Sequence, residues 1–311
     1  MPIDTADLEP SSPERVTGLP VIDAHTHLFP EEVVRDRARF LARDPWFGET
    51  FGHPKATTAL APELIASMDV AGIARSVVCG WPWRDQGLCR MHNDDLAEVG
   101  KRHPDRISWL GIVNPAHPGA AAEVARCVEL GAVGMGELNA DGQDFTWERP
   151  AELARFAEAC IALDVPVLIH TSEPVGHRYP GKGTATVAKL LPFLEAFPAL
   201  RVVMAHWGGG LPFYELMPEI AAAAQNVVYD SAASTYLYRF DVFPAVERLI
   251  GSDRILFGSD FPVLKQKTFL RKTLASGLPP AALADILHDN AVRTFRLPGF
   301  DQLETLPGGT P

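Results

Sequence analysis

Cysteine is scarce in this chain. Cys79, Cys89, Cys127 and Cys160 are the only four in 311 residues, and none forms a Cys-x-x-Cys pair. That excludes a disulfide scaffold and a cysteine zinc cluster, and reads as reduced, mostly buried thiols in a cytosolic protein. Basic residues are also in deficit. With 28 Lys+Arg against 39 Asp+Glu the formal net charge is -11, and no Lys/Arg cluster tracks a helix face. There is no electrostatic footprint for nucleic acid. No apolar run approaches the roughly 20 residues of a membrane helix. The first nineteen residues carry Asp4, Asp7, Glu9, Pro10 and Pro13 in place of the basic start and apolar stretch of a signal peptide. The expectation is a cytoplasmic protein that binds neither membrane nor nucleic acid.

Two further absences narrow the chemistry. No Gly-rich phosphate turn follows the first apolar strand, and Gly208-Gly209-Gly210 is too short and too late for a dinucleotide fingerprint. Ser231 and Ser234 have no Gly-x-Ser-x-Gly setting, which disfavours a serine nucleophile.

Hydrophobic residues make up 47% of the sequence and charged residues 22%, enough apolar material for a large core. From Val21 onward, about eight short apolar segments alternate with helical ones. Among them are Arg75–Gly80, Arg106–Val113, Ala132–Glu137, Val165–His170, Leu200–His206, Asn226–Ser231 and Arg254–Asp260. Strands apolar on both faces are those of a parallel sheet wrapped in helices. Length and strand count predict an α/β fold, a (β/α)₈ TIM barrel, over an open doubly wound sheet. One domain is expected over residues 19–297, with a flexible arm over 1–18 and a Pro/Gly-rich tail over 298–311. Residues 44–58, rich in Pro, Gly and aromatics, are expected to form a long loop.

The chemistry gathers at strand ends. Val21-Ile22-Asp23-Ala24-His25-Thr26-His27 places two histidines two apart at the end of the first strand, where they project to one side. Glu137, His170, His206 and Asp260 close four later strands. In a barrel these ends share one mouth, so residues over two hundred positions apart would line one pocket. Polar side chains closing apolar strands are costly unless they bind something, and imidazoles with carboxylates suit a divalent metal. By contrast His92, His103, His117 and His288 fall in helices or turns and are expected to face solvent or cap. His53 and His177 lie in mouth-side loops.

The sequence resembles the amidohydrolase superfamily, in the amidohydrolase-related branch that includes aminocarboxymuconate-semialdehyde decarboxylase. The resemblance runs from about Leu19 to Leu297. It is carried by Ile22 to His27, by Met204-Ala205-His206-Trp207-Gly208-Gly209, and by Leu256-Phe257-Gly258-Ser259-Asp260-Phe261-Pro262. It implies that His25 and His27 bind the more buried metal and that His170 and His206 are the fifth- and sixth-strand ligands. Asp260 would both ligate and take a proton from bound water, acting with His206 as the catalytic pair. Where many members have a carboxylated lysine on the fourth strand, this chain has Glu137. That residue either ligates, bridging two ions, or hydrogen-bonds a neighbouring ligand. Zinc is the expected ion, one or two per chain, with manganese or iron as alternatives.

The expected activity is a metal-dependent hydrolase cleaving an amide, ester or lactone in a small, carboxylate-bearing substrate. The alternative is a non-oxidative decarboxylase or hydratase of the same branch. Trp81-Pro82-Trp83-Arg84 follows the second strand at the mouth. Arg84 would there either grip a substrate carboxylate or sit in a surface ion pair, with Trp83 as an apolar wall. Trp207, Tyr236 and Arg178-Tyr179 are placed on the same rim. The partner is a small molecule, and a homo-oligomer is compatible with the sequence.

Overall fold

Eight parallel strands succeed one another in chain order around a single sheet. They are β1 (Val21–His27), β2 (Ile73–Cys79), β3 (Ile107–Gly111), β4 (Gly134–Leu138), β5 (Val167–Ile169), β6 (Val202–Met204), β7 (Val227–Asp230) and β8 (Ile255–Leu256). The computed structural model describes residues 16–300. The arm expected over 1–18 and the tail expected over 298–311 lie almost wholly outside the described residues. β8 is short, but the chain runs on extended beside β1. Phe257 O accepts from Ala24 N at 2.7 Å, His25 O accepts from Asp260 N at 2.9 Å, and Phe261 O accepts from His27 N at 2.7 Å. These bonds bring β8 back to β1, and the expected (β/α)₈ barrel is present. No helix among the described residues is long and apolar enough to cross a membrane.

The uniformly apolar strands have two buried faces. Ile22, Ala24, Val77, Leu110, Leu168, Val203 and Leu256 pack together inside the barrel. Val21, Ile73, Val78, Val167, Ile169 and Val202 pack outward against the helices. Those helices include α1 (Pro45–Phe51), α2 (Ala61–Ala71), α3 (Gln86–Arg102), α4 (Ala120–Glu129) and α5 (Pro150–Ala162). All four cysteines are buried free thiols, as expected.

Three local expectations need correcting. The loop expected over 44–58 contains α1. Asp44 caps it by accepting from Phe47 N at 2.8 Å, Pro45 opens its first turn, and Phe47 and Phe51 bury one face four residues apart. His92 does not face solvent. It is fully buried on α3, with Nε2 donating to Leu28 O at 2.9 Å. Its Nδ1 accepts from Trp81 N at 3.2 Å and from Trp83 Nε1 at 3.0 Å, so it ties the ends of β1 and β2 together. His288 is also buried, donating from Nδ1 to Pro20 O at 2.7 Å.

A candidate metal centre at the barrel mouth

The strands that carry the chemistry are irregular at the point where it sits. Strict alternation would send His25 and His27 outward with Val21, and Glu137 outward with Met135. The register shifts between Asp23 and Thr26 in β1 and between Met135 and Leu138 in β4. Such irregularities re-aim side chains beside active sites. Gly136, at φ +134, makes the turn before Glu137, where a Cβ would lie 2.4 Å from Leu168 O. Gly258 has no φ demand, but a Cβ there would lie 2.7 Å from the Cβ of His25. His206 and Asp260 are in the left-handed region at φ 58 and 64, curling their side chains back over the mouth.

Six side chains meet there as two groups, His25 with His27 and Asp260, and Glu137 with His170 and His206. Within each group the ligand atoms lie within 4.8 Å of one another. Glu137 stands between the groups. Its Oε2 is 3.6 Å from His25 Nε2 and 3.5 Å from His27 Nε2. Its Oε1 is 2.9 Å from His170 Nδ1 and 3.3 Å from His206 Nε2. Asp260 Oδ1 lies 3.5 Å from His27 Nε2 and 3.9 Å from His25 Nε2.

A carboxylate absent from the expected set holds this geometry. Asp230, at the end of β7, is wholly buried, and its Oδ2 accepts from His25 Nδ1 at 2.8 Å. Its Oδ1 accepts from His206 N at 3.0 Å and from Ala232 N at 2.9 Å. With the Nδ1 proton committed, His25 Nε2 is left as a ligand atom, the usual arrangement behind metal-binding imidazoles. His27 Nδ1 faces Gly80 O at 3.3 Å and His206 Nδ1 faces Ala232 O at 3.2 Å, with the same effect. The strand-end signal that marked the other five strands was present at Asp230 as well.

The electrostatics call for a cation. Burial opposes charge on His25, but the Asp230 and Glu137 carboxylates outweigh it and hold its pKa well above the imidazole range. Burial likewise opposes charge on His206, and the Glu137 hydrogen bond with the charges of Glu137, Asp260 and Asp230 lifts it to about 9. Burial would raise Glu137, yet His170 and His25 hold it well below the carboxylate range. Protons and a divalent ion compete for this role, since binding a metal releases the former. His25 Nε2 and His27 Nε2 are 3.0 Å apart, and His170 Nε2 is buried without a partner among the described residues. The donor set fits a divalent metal.

Above the centre opens a cavity of about 410 Å³, within the size range of small-molecule sites. His27, Glu137, His170, His206 and Asp260 form its floor; Trp46, Phe51, Trp81, Tyr179 and Tyr236 line its walls. His177 also lines it, whereas His53 does not. Three expected substrate contacts lie elsewhere. Arg84 is in an exposed ion pair with Asp144. Trp83 is fully buried against Phe40 and Phe47, its indole N–H given to His92. Trp207 is fully buried too, donating to Ser234 Oγ at 2.7 Å and packed edge-on to Phe243. In each case a neighbour in sequence faces the cavity instead: Trp81 on one wall and His206 on the floor.

A family model described as amidohydrolase matches residues 22–297. The chain belongs to the amidohydrolase family. Among curated members, a gamma-resorcylate decarboxylase from Polaromonas sp. strain JS666 is 30% identical over 219 residues, covering 58% of this chain and 67% of the relative. One from Rhizobium radiobacter is 28% identical over 251 residues, covering 68% and 77%. A 2-keto-4-carboxy-3-hexenedioate hydratase from Sphingobium sp. strain SYK-6 is 29% identical over 197 residues, covering 54% and 56%. The 5-carboxyvanillate decarboxylase structure from Sphingomonas paucimobilis superposes with a TM-score of 0.75 at 18% identity, covering 90% and 99% of the two chains. A Polaromonas dihydroxybenzoic acid decarboxylase solved with manganese and 2-nitroresorcinol gives 0.70 at 22%, covering 93% and 99%. At those identities the structures speak for the fold.

The curated relatives correct one expectation. A hydrolase was expected, yet four of the curated proteins that the chain matches are gamma-resorcylate decarboxylases. The candidate donor set that suggested hydrolysis does not choose between the two chemistries, because fold and ligands do not fix the reaction.

Proposed function

We propose that this amidohydrolase-family protein is a metal-dependent, non-oxidative decarboxylase of a hydroxylated aromatic acid. The observation that carries the reading is its similarity to gamma-resorcylate decarboxylases over more than half of the chain. The aromatic walls of the cavity support it. His25, His27 and Asp260 would hold a divalent ion, with Glu137 and His170 beside it. Mixed imidazole and carboxylate donors accept manganese or zinc. The ion would supply positive charge for a substrate oxyanion and draw electron density from the ring.

Decarboxylation breaks the bond between ring carbon and carboxylate, leaves its electron pair on the ring and adds one proton there. His206 would carry that proton. Its Nδ1 is engaged by Ala232 O, while Nε2 points to the cavity floor beside Glu137 Oε1. In that role Nε2 would hold the proton and give it to the ring carbon, and His206 would then stand outside the ion's ligands. The apolar walls limit water around the departing carboxylate, whose charge vanishes as carbon dioxide forms.

The hydratase relative favours a second reading, addition of water to an activated double bond. One experiment decides between them. Manganese-loaded protein is incubated in deuterated water with 2,6-dihydroxybenzoate, with 2-hydroxybenzoate and with an unsaturated keto diacid. Carbon dioxide release with one deuterium on the aromatic product is expected. Water addition to the keto diacid with no carbon dioxide from either benzoate would overturn the decarboxylase reading.

A further inference from the structure

One glycine behind the cavity wall has no backbone reason to be a glycine. Gly142 lies in the short helix Ala140–Gln143 that follows β4. Its φ is outside the left-handed region, and a helix by itself favours alanine over glycine. What the missing side chain provides is room. A Cβ at Gly142 would lie 2.7 Å from Trp46 Cδ1, 3.0 Å from Trp46 Cγ and 3.3 Å from Trp46 Nε1. The indole of Trp46 therefore rests on bare backbone, and Trp46 is a wall of the cavity.

Neither support of this contact can withdraw easily. Asn139 caps the short helix, its Oδ1 accepting from Asp141 N at 3.0 Å and from Gly142 N at 3.1 Å. Gln143 is fully buried; its Nε2 donates to Val113 O at 2.9 Å, and its carbonyl accepts from Asn114 Nδ2 at 2.7 Å. On the other side, α1 is capped by Asp44 and buries Phe47 and Phe51, whose rings lie 5.1 Å from Trp83 and 5.0 Å from Trp81. A side chain at position 142 would have to be accommodated by the indole, and the cavity is the open space that Trp46 lines. The size of that space is a second observation. At about 410 Å³ it falls in the range that encloses drug-sized ligands, roughly 300–1,000 Å³. A dihydroxybenzoate is smaller than that class and would leave apolar wall unfilled, which forfeits contacts.

We propose that the contact between Gly142 and Trp46 determines the size of the ring system this site accepts. By seating the indole on bare backbone it opens the wall to a second ring, and the substrate class is a fused two-ring aromatic hydroxy acid. This rests on the decarboxylase reading of the site.

The test reads binding, so that it stands apart from turnover. Manganese-loaded wild type, Gly142→Ala and Gly142→Ala/Trp46→Leu are titrated calorimetrically with resorcinol and with naphthalene-1,3-diol. These are the one-ring and two-ring phenols that loss of carbon dioxide from 2,6-dihydroxybenzoate and from 1,3-dihydroxy-2-naphthoate would leave. Wild type should hold the naphthalenediol more tightly than resorcinol. Gly142→Ala should weaken the naphthalenediol by roughly 10- to 200-fold, the discrimination that one methylene gives in an apolar pocket, and leave resorcinol unmoved. The double variant removes the clash with the indole and should restore the naphthalenediol. Parallel loss of both ligands, or no recovery in the double variant, would mean that the added methyl disturbs the helix behind Glu137 and would overturn the proposal. So would a wild type that binds the two phenols alike. If the binding pattern holds and neither acid releases carbon dioxide, the size determinant stands and the decarboxylase reading falls.

Discussion

Replacing Asp230 by asparagine changes one atom and should unseat the metal. Its carboxylate accepts on both oxygens: from His25 Nδ1 on one, and from the His206 and Ala232 amides on the other. The backbone amides cannot become acceptors, so the asparagine oxygen must face them. Its NH₂ group then faces His25 Nδ1, which can only accept. The imidazole must move its remaining proton to Nε2, the atom that lies 3.0 Å from His27 Nε2 and faces Glu137 and Asp260. A protonated Nε2 is no longer a ligand. Loss of such an outer partner costs roughly 10- to 100-fold in metal affinity, about 1.4–2.7 kcal/mol. The assay is competition for Mn²⁺ against a chromophoric chelator at pH 7.5. Glu215→Gln is the control, because Glu215 is a carboxylate paired with Arg254 at 2.6 Å, outside the ligand set. It should lower stability and leave metal affinity alone. Unchanged affinity in Asp230→Asn, or an equal fall in Glu215→Gln, would refute the tautomer reasoning.

Other outcomes follow from the same geometry. Elemental analysis should find at least one divalent ion per wild-type chain and a large loss in the His25→Ala/His27→Ala double variant; equal content would remove the pair from the ligand set. Trp83→Phe should cost about 1 kcal/mol of stability by removing a donor to His92 Nδ1, with kcat/KM close to wild type, whereas Trp81→Ala should raise KM by opening the cavity wall. Burial lowers the pKa of His92 to about 3. Because the unfolded chain takes up that proton from about pH 6.5 downward, stability is fully present above 6.5 and falls by about 1.4 kcal/mol per unit toward pH 3. Urea unfolding at pH 7 and pH 5 should therefore show about 2 kcal/mol more acid loss in wild type than in His92→Gln, and parallel losses would contradict it.

The barrel was legible because its signal is repeated. Val167-Leu168-Ile169 and Val202-Val203-Met204 are apolar on both faces, and burial in a parallel sheet is what such segments require. The last strand was overextended: only Ile255–Leu256 pairs with β7, and the residues to Asp260 cross to β1. Helix α1 was missed although Asp44-Pro45 is a cap followed by a first-turn proline, because glycine and aromatics in the same stretch suggested a loop. The burial of His92 is not legible in sequence, since a single histidine on a helix gives no sign of three partners contributed by two distant strand ends.

The site was legible to the level of its floor and no further. Six strand-end residues meet as expected because a barrel brings all strand ends to one mouth, a consequence of topology that sequence order can report. The walls depend on which way each residue of a loop turns. In Trp81-Pro82-Trp83-Arg84 the turn is set by His92, which accepts from the backbone of Trp81 and the indole of Trp83. That bond pulls Trp83 inward, leaves Trp81 at the cavity and sends Arg84 out to Asp144. The same limit explains the hydrolase expectation. A buried metal centre can lower the pKa of water or draw charge from a ring with identical ligands, and what selects between these is the shape and polarity above it. Here that space is walled by Trp46, Phe51, Trp81 and Tyr179. That wall could be read only after the loops were in place.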